Sequence, residues 1–169
     1  STVATRDGDI EAKAVIVATG AQFRRLGVPG EKEFTGAGVS YCAVCDGAFY
    51  QDETIAVIGG GNTAVEEACY LTQFASKVYV VHRRDEFRAD RMACERAACN
   101  PKIVPIWDSV LESVNGDDLV ESMTVKNVKT GELTTIDVAG VFVFVGTLPI
   151  TECLGDHCEL ADGGWVTTD

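Results

Sequence analysis

The sequence predicts an α/β fold in which a central parallel sheet is interrupted by an antiparallel β-meander. Three patterns carry that expectation. Residues 54–58 and 141–145 are apolar almost throughout, without the polar-apolar alternation of a half-exposed strand, and suit strands covered on both faces. The first runs into Gly59-Gly60-Gly61, then into Ala64, Ala68, Leu71 and Ala75 at helical spacing with Glu66 and Glu67 on another face, then into the β-branched run at residues 77–81. That is a strand-helix-strand unit of about thirty residues, whose crossover makes the two strands parallel. Residues 103–138 differ: strand-like stretches at 103–107, 109–114, 119–128 and 132–138 are separated by turns such as Asn115-Gly116 and Thr130-Gly131, the pattern of a meander.

The remaining segments fall around this frame. Residues 14–18 form a continuous apolar run ended by Thr19-Gly20, which reads as a buried strand leading into a loop. Residues 24–41 hold Gly27, Pro29, Gly30, Gly36 and Gly38, and read as a connector and a candidate domain junction. A second helix is expected over residues 85–99, stopped by Asn100-Pro101. The last apolar strand ends at Gly146, and the remainder to Asp169 is loop-rich without a recognisable element.

Size and composition narrow the function classes. A chain of 169 residues, 46% of them hydrophobic, can bury one ordinary core. No apolar run approaches the roughly 18 residues needed to cross a bilayer, and the start shows no secretory apolar segment, so a cytoplasmic location is expected. A net charge of -12 argues against nucleic-acid or anionic-membrane partners, which require a broad positive surface. Positive charge is instead gathered locally: Arg83, Arg84, Arg88 and Arg91 lie directly after His82, an arrangement suited to meeting one anion. Seven cysteines, an odd number, do not make a fully paired framework, and only Cys42 and Cys45 have Cys-x-x-Cys spacing. Cys69 reads as a small buried hydrophobe; Cys94, Cys99, Cys153 and Cys158 lack the paired short spacings of a zinc site, and no metal is expected.

The glycine turn carries chemistry. Gly59-Gly60-Gly61-Asn62-Thr63-Ala64 matches G-x-G-x-x-G/A: the first glycine makes the turn, the second admits a pyrophosphate, and Ala64 lets the helix pack closely. The phosphates would sit on the helix N-terminus, where unpaired N–H groups and the helix dipole favour an anion. NAD-binding versions place a carboxylate about 20 residues on, at the tip of the second strand; here that place is taken by His82-Arg83-Arg84. Guanidinium groups fork onto phosphate oxygens, so Arg83 and Arg84, with Arg88 one helical turn beyond Arg84, suit the 2′-phosphate of NADPH. His82 and Arg91 have weaker cases as direct ligands. The alternative is that the arginines form a solvated face.

The second element is Cys42-Ala43-Val44-Cys45-Asp46-Gly47. Close spacing keeps two sulfurs within bonding reach, and a thiolate at a helix start is a better nucleophile and leaving group. Asp46 could supply or remove the proton that thiol exchange requires. The spacing alone also fits half of a zinc knuckle.

Taken together, these stretches with Ala18-Thr19-Gly20-Ala21, Leu26-Gly27-Val28-Pro29-Gly30-Glu31, His82-Arg83-Arg84-Asp85-Glu86-Phe87-Arg88-Ala89 and Gly140-Val141-Phe142-Val143-Phe144-Val145-Gly146 with Pro149 closely resemble the low-molecular-weight thioredoxin reductases. The resemblance implies a Rossmann-like FAD/NAD(P)-binding fold and a relay from NADPH to FAD to the Cys42-Cys45 disulfide to thioredoxin. It implies that Cys45 faces the flavin, that Cys42 attacks the thioredoxin disulfide, that Asp46 handles the proton, and that Gly146 joins the nucleotide site. Members are homodimers that rotate one domain against the other at connectors like those near residues 21–30 and 146–150. It further implies that residues 1–24 and 149–169 belong to an FAD domain and residues 25–148 to the NADPH domain, so that this stretch is not active alone. Ile150 departs from the family, which has Asn there. Two other readings share the motifs: the flavoprotein reductase of a peroxiredoxin (alkyl hydroperoxide reductase) system, and a non-catalytic NADPH-binding module with structural cysteines.

Overall fold

The computed structural model of the chain describes residues 2–168. In chain order the strands are β1 (Thr2–Thr5), β2 (Gly8–Glu11), β3 (Ala21–Phe23), β4 (Val39–Ser40), β5 (Thr54–Ile58), β6 (Lys77–Val81), β7 (Ile103–Ile106), β8 (Ser109–Gly116), β9 (Val120–Asn127), β10 (Leu133–Asp137), β11 (Gly140–Val143) and β12 (Thr147–Pro149). The helices are α1 (Ala43–Asp46), α2 (Asn62–Leu71) and α3 (Arg91–Ala98), with 3₁₀ turns at Gly47–Tyr50 and Glu152–His157. They divide into two compact units, residues 23–146 and residues 1–22 with 147–169. Among the described residues no helix is long and apolar enough to cross a membrane.

The larger unit is built on a parallel sheet of order β4-β11-β5-β6-β7. β5 is its centre, paired with β6 from Thr54↔Lys77 to Ile58↔Val81 and with β11 from Gly140↔Ile55 to Val143↔Ile58. The period-2 geometry of a strand sends Ile55 and Val57 to one face and Ala56 and Ile58 to the other, and all four are buried. On the first face Ala64, Val65, Ala68 and Leu71 of α2, Ala93 and Ala97 of α3 and Ala43 of α1 join them in one apolar cluster. On the second face the antiparallel sheet β10-β9-β8 supplies Leu111, Val114, Val120, Met123 and Val125. Burial on both faces is why the β5 and β11 sequences show no alternation. Lys102 Nζ donates to the Thr72 and Ala75 carbonyls at 2.7 and 2.8 Å, which satisfies acceptors just beyond the α2 C-terminus.

Four expectations are corrected. Residues 103–107 do not begin the meander: β7 is the edge strand of the parallel sheet, in register Val78↔Ile103 to Val81↔Ile106. Pro105 fits an edge, where a residue without an N–H breaks no ladder on the open side. The second helix begins at Arg91, not at residue 85. A helical Arg88 would give its N–H to the Arg84 carbonyl; instead that carbonyl accepts from Asp108 N at 3.0 Å, and Arg88 N donates to the Gly60 carbonyl at 2.7 Å. Arg88 therefore lies on a loop. Residues 14–18 are neither strand nor buried, and Ile16 is 93% exposed. An apolar run becomes a strand only where a neighbouring strand supplies ladder bonds, and among the described residues none pairs with it. Finally, the segment after Gly146 does hold elements, the three-residue β12 and a 3₁₀ turn, both too short to leave a periodic signal.

In the smaller unit β1 and β2 form an antiparallel hairpin, β12 pairs with β3, and a bridge joins Leu160 to Val166. Thr19 Oγ1 donates to the Ile150 carbonyl and Ile150 N donates to the Gly20 carbonyl, so the two chain segments of the unit are tied together.

Phe142 of β11 is fully buried and meets Tyr50 edge-on at a centroid distance of 5.3 Å. Phe142→Ala removes a ring from the middle of the sheet and is expected to lower unfolding stability by about 3–5 kcal/mol, read as a drop in the urea midpoint.

Candidate functional site

The topology fixes where a ligand can approach. From β5 the chain moves to β6 and β7 on one side, while β11 lies on the other, so the order reverses beside β5, and in open α/β sheets ligands approach at the carboxyl ends of the strands at such a point. Gly59 stands at that point with φ +142°, and a Cβ there would overlap the Phe144 carbonyl and lie 2.9 Å from Ala64 Cβ. A Cβ on Gly60 would overlap the His82 ring. Gly61 is the α2 N-cap and makes no side-chain cap; the first helical bond is Val65 N to the Gly61 carbonyl at 3.1 Å, which leaves the N–H groups of Asn62, Thr63 and Ala64 without intrahelical acceptors. Ala64 is fully buried, as close contact between α2 and the turn requires.

The loop after β6 carries the positive charge. His82 is buried, donates its backbone N–H to the Ile106 carbonyl at 3.0 Å, and its ring lies near Phe87 and Trp107, at centroid distances of 6.3 and 6.5 Å. Its Nε2 has no hydrogen-bond partner among the described residues. Burial, and then the charges of Arg84, Arg83 and Arg88, hold its pKa below the usual 6.5, so the imidazole is neutral at pH 7. All three arginines are thus near enough for their charges to act on His82, and all three residues are exposed. Arg91 is directed elsewhere, to Glu95 at 2.7 Å. Asn62 is engaged through its side chain: Nδ2 donates to Asp90 Oδ2 at 2.7 Å and Oδ1 accepts from Asp90 N at 2.8 Å. Gly146 follows β11 with φ +105°, open space at its Cα, and a carbonyl that accepts from Arg24 N at 3.0 Å.

Cys42 and Cys45 are joined in a disulfide with a Cα–Cα distance of 5.3 Å. Cys42 is the N-cap of α1, and its Sγ accepts from Cys45 N at 3.2 Å. Cys45 is exposed and Cys42 half-buried. Asp46 Oδ2 accepts from Ser40 Oγ at 2.6 Å, and the same hydroxyl accepts from Cys42 N at 3.1 Å, so a buried serine links the carboxylate to the cysteine backbone. Burial and the charge of Asp46 raise the pKa of Tyr50. The segment rests on α2 and the turn after it: a Cβ on Gly47 would come within 2.9 Å of Leu71 Cδ2 and 3.3 Å of Phe74 Cδ2. Cys69 is half-buried rather than buried, with its thiol pKa pushed up by burial, and Cys94, Cys99, Cys153 and Cys158 are free thiols.

Three contributors were not singled out from the sequence. Glu31 is almost fully buried and accepts from Leu26 N at 3.0 Å, Gly27 N at 2.6 Å and Tyr41 Oη at 2.9 Å. It thereby ties the glycine-rich connector to the residue before Cys42. Burial, and then the bond to Glu31 and its charge, push the Tyr41 pKa up to about 12. A lone glutamate in such a connector reads as a solvated charge; Pro29-Gly30 just before it, which forces a turn, was the available signal. Ser40 and Asp90 gave none, since both look like ordinary cap and turn residues.

Because His82 has a lower pKa folded than unfolded, the unfolded chain takes up the proton first as the pH falls. The stabilisation is complete above the unfolded value of about 6.5 and is lost as the pH drops toward the folded one. Urea unfolding between pH 7.5 and 5.5 should show stability falling with pH, and His82→Gln should flatten that slope.

Comparison with known proteins places this arrangement. The sequence profile of the family described as pyridine nucleotide-disulphide oxidoreductase matches residues 1–169. A thioredoxin reductase of Peptoclostridium acidaminophilum is 48% identical over 167 residues, covering 95% of this chain and 53% of the relative. One of Mycolicibacterium smegmatis is 47% identical over 165 residues, covering 98% and 53%. Among solved structures, Lactococcus lactis thioredoxin reductase superposes with a TM-score of 0.91 at 47% identity, over 99% of this chain and 56% of that one. This chain thus spans about half the length of the curated relatives it matches. With a strand-glycine-helix turn, an arginine-bearing loop and a Cys-x-x-Cys disulfide in one unit, and a profile match along its whole length, the chain belongs to the pyridine nucleotide-disulphide oxidoreductase family.

Proposed function

We propose that this chain is the NADPH-binding, disulfide-carrying part of a cytoplasmic thioredoxin-disulfide reductase that works as a homodimer with FAD. The observation that carries the reading is the presence of the Cys42–Cys45 disulfide and the Gly59–Gly61 turn with its arginine loop in the same packed unit. Relatives named thioredoxin reductase support the activity. The exposed apolar run at residues 14–18 supports assigning residues 1–24 and 149–169 to a flavin-binding part that covers them, with residues 25–148 as the NADPH domain.

The residues present fit NADPH. Gly59 and Gly60 have no space for a side chain, so the backbone itself forms the cradle; the first N–H groups of α2 are suited to an anion, and Arg83, Arg84 and Arg88 bring a second group of anion-binding donors to the tip of β6. His82, neutral beneath Gly60, supports the turn without adding charge. Gly146, just beyond β11 and with open space at its Cα, leaves room for the coenzyme on the β11 side. When bound, NADPH supplies a hydride and FAD relays its two electrons onward.

The disulfide then takes two electrons and two protons, the Cys42–Cys45 bond breaks, and both sulfurs become thiols. Cys45, the exposed one, meets the flavin side. The Cys42 thiolate, favoured by the N–H of Cys45, attacks a sulfur of the thioredoxin disulfide and expels its partner thiolate, which takes up a proton. Cys45 in turn attacks Cys42 in the mixed disulfide, which restores the Cys42–Cys45 bond and releases reduced thioredoxin. Asp46, held by Ser40, gives and takes the protons.

Two measurements test the reading. A redox titration of Cys42–Cys45 should show a reversible two-electron couple in the range of thioredoxin, roughly -270 mV; an inert pair would leave a nucleotide-binding module only. Calorimetry should show NADPH bound more tightly than NADH, with Arg83→Ala plus Arg84→Ala weakening NADPH by more than about tenfold. Equal affinity for the two coenzymes in the unmodified chain would refute the cofactor assignment.

A further inference from the structure

Asp90 occupies the N-cap position of α3 yet makes no capping bond to its own helix. An aspartate there ordinarily accepts from the second or third N–H of the helix it starts. Its carboxylate and its backbone N–H are instead both committed to the side chain of Asn62, 28 residues earlier, at 2.7 and 2.8 Å. The pair is reciprocal, so the carboxamide can neither rotate nor flip without breaking both bonds. Asn62 is the first residue of α2, and its own N–H remains free for an anion. Close by, Arg88 N donates to the Gly60 carbonyl at 2.7 Å. Three hydrogen bonds thus fasten both ends of one residue stretch: the turn at 60–62 and the loop at 88–90. The arginines lie between that fastening and β6, on a loop that has no helix of its own to hold its shape. Their side chains are exposed, and the loop backbone is what sets where the guanidinium groups begin.

We propose that Asp90, acting through Asn62, is the positioning residue that holds the arginine loop at a fixed distance from the pyrophosphate turn and so sets the preference for a 2′-phosphorylated coenzyme. This rests on the NADPH reading and adds to it a residue whose role runs through its two bonds to Asn62. The role also has a sign that separates it from simple electrostatics. Asp90 is negative and stands two residues from Arg88, so removing its charge alone would strengthen binding of an anion nearby. Removing a clamp weakens it.

The test uses the 169-residue chain unmodified, with Asp90→Ala, and with Asp90→Asn, each titrated calorimetrically with NADPH and with NADH and checked for folding by circular dichroism. Asp90→Ala should weaken NADPH about five- to tenfold while NADH changes by less than about twofold, since the latter lacks the phosphate that the arginines meet. Asp90→Asn keeps an oxygen acceptor for Asn62 Nδ2 and should recover most of the loss. Tighter NADPH binding in Asp90→Ala, or an equal loss for both coenzymes, overturns the proposal. A preference in the unmodified chain that survives intact in Asp90→Ala overturns the clamp and leaves the NADPH reading standing; no preference in the unmodified chain removes both.

Discussion

The larger unit depends on a close approach of backbone to neighbour at the end of β5. Gly59 abuts the Phe144 carbonyl and Gly60 abuts the imidazole of His82, so the two strands flanking β5 are drawn against the turn with no side chain between. That closeness places the start of α2 at the carboxyl end of β5 and, through the Arg88 N to Gly60 carbonyl bond, sets the arginine loop beside the turn. Any side chain at either glycine would displace one flank. A neutral imidazole is the right neighbour: it fills the space under the turn as an aromatic body, and its lowered pKa keeps it from adding charge among three guanidinium groups.

The parts of this fold that could be read from the sequence were those with a strong local period. The α2 face of Ala64, Ala68 and Leu71 and the unalternating runs of β5 and β11 are direct images of their burial. The misplaced parts had their structure decided by distant partners. Residues 85–90 have helical composition, but the N–H of Arg88 and the carbonyl of Arg84 are claimed by Gly60 and Asp108. Residues 103–106 resemble a meander strand and join the parallel sheet because β6 offers a free edge. The glycine motif, the arginines and the cysteine pair were legible because their chemistry is tied to residue type. Glu31, Ser40 and Asp90 were not, because their importance lies in what they bond across the fold.

The disulfide is seated by a different device. Glu31, shut away from water, satisfies two connector N–H groups and the Tyr41 hydroxyl, and Tyr41 stacks on Phe23 with centroids 5.6 Å apart. A buried carboxylate is tolerable only when its oxygens are fully engaged, and here three donors do so. The backbone leading into Cys42 is thus fixed from one side by Tyr41 and from the other by Ser40, while α2 supports Ala43 and Gly47 from below. The disulfide is carried on a rigid seat, with Cys45 exposed and Cys42 half-buried.

The position of β11 between β4 and β5 bears on how the molecule is made. Val141 pairs with Val39 on one side and Ala56 on the other, both from far earlier in the chain. During synthesis from the amino terminus, this interior strand therefore leaves the ribosome after every other strand of its sheet, and until it does the apolar edges of β4 and β5 have nothing between them. Such non-local closure makes for slow folding and a prolonged need for protection from aggregation. The join between β4 and β5 is the last part of the finished sheet to form on the nascent polypeptide.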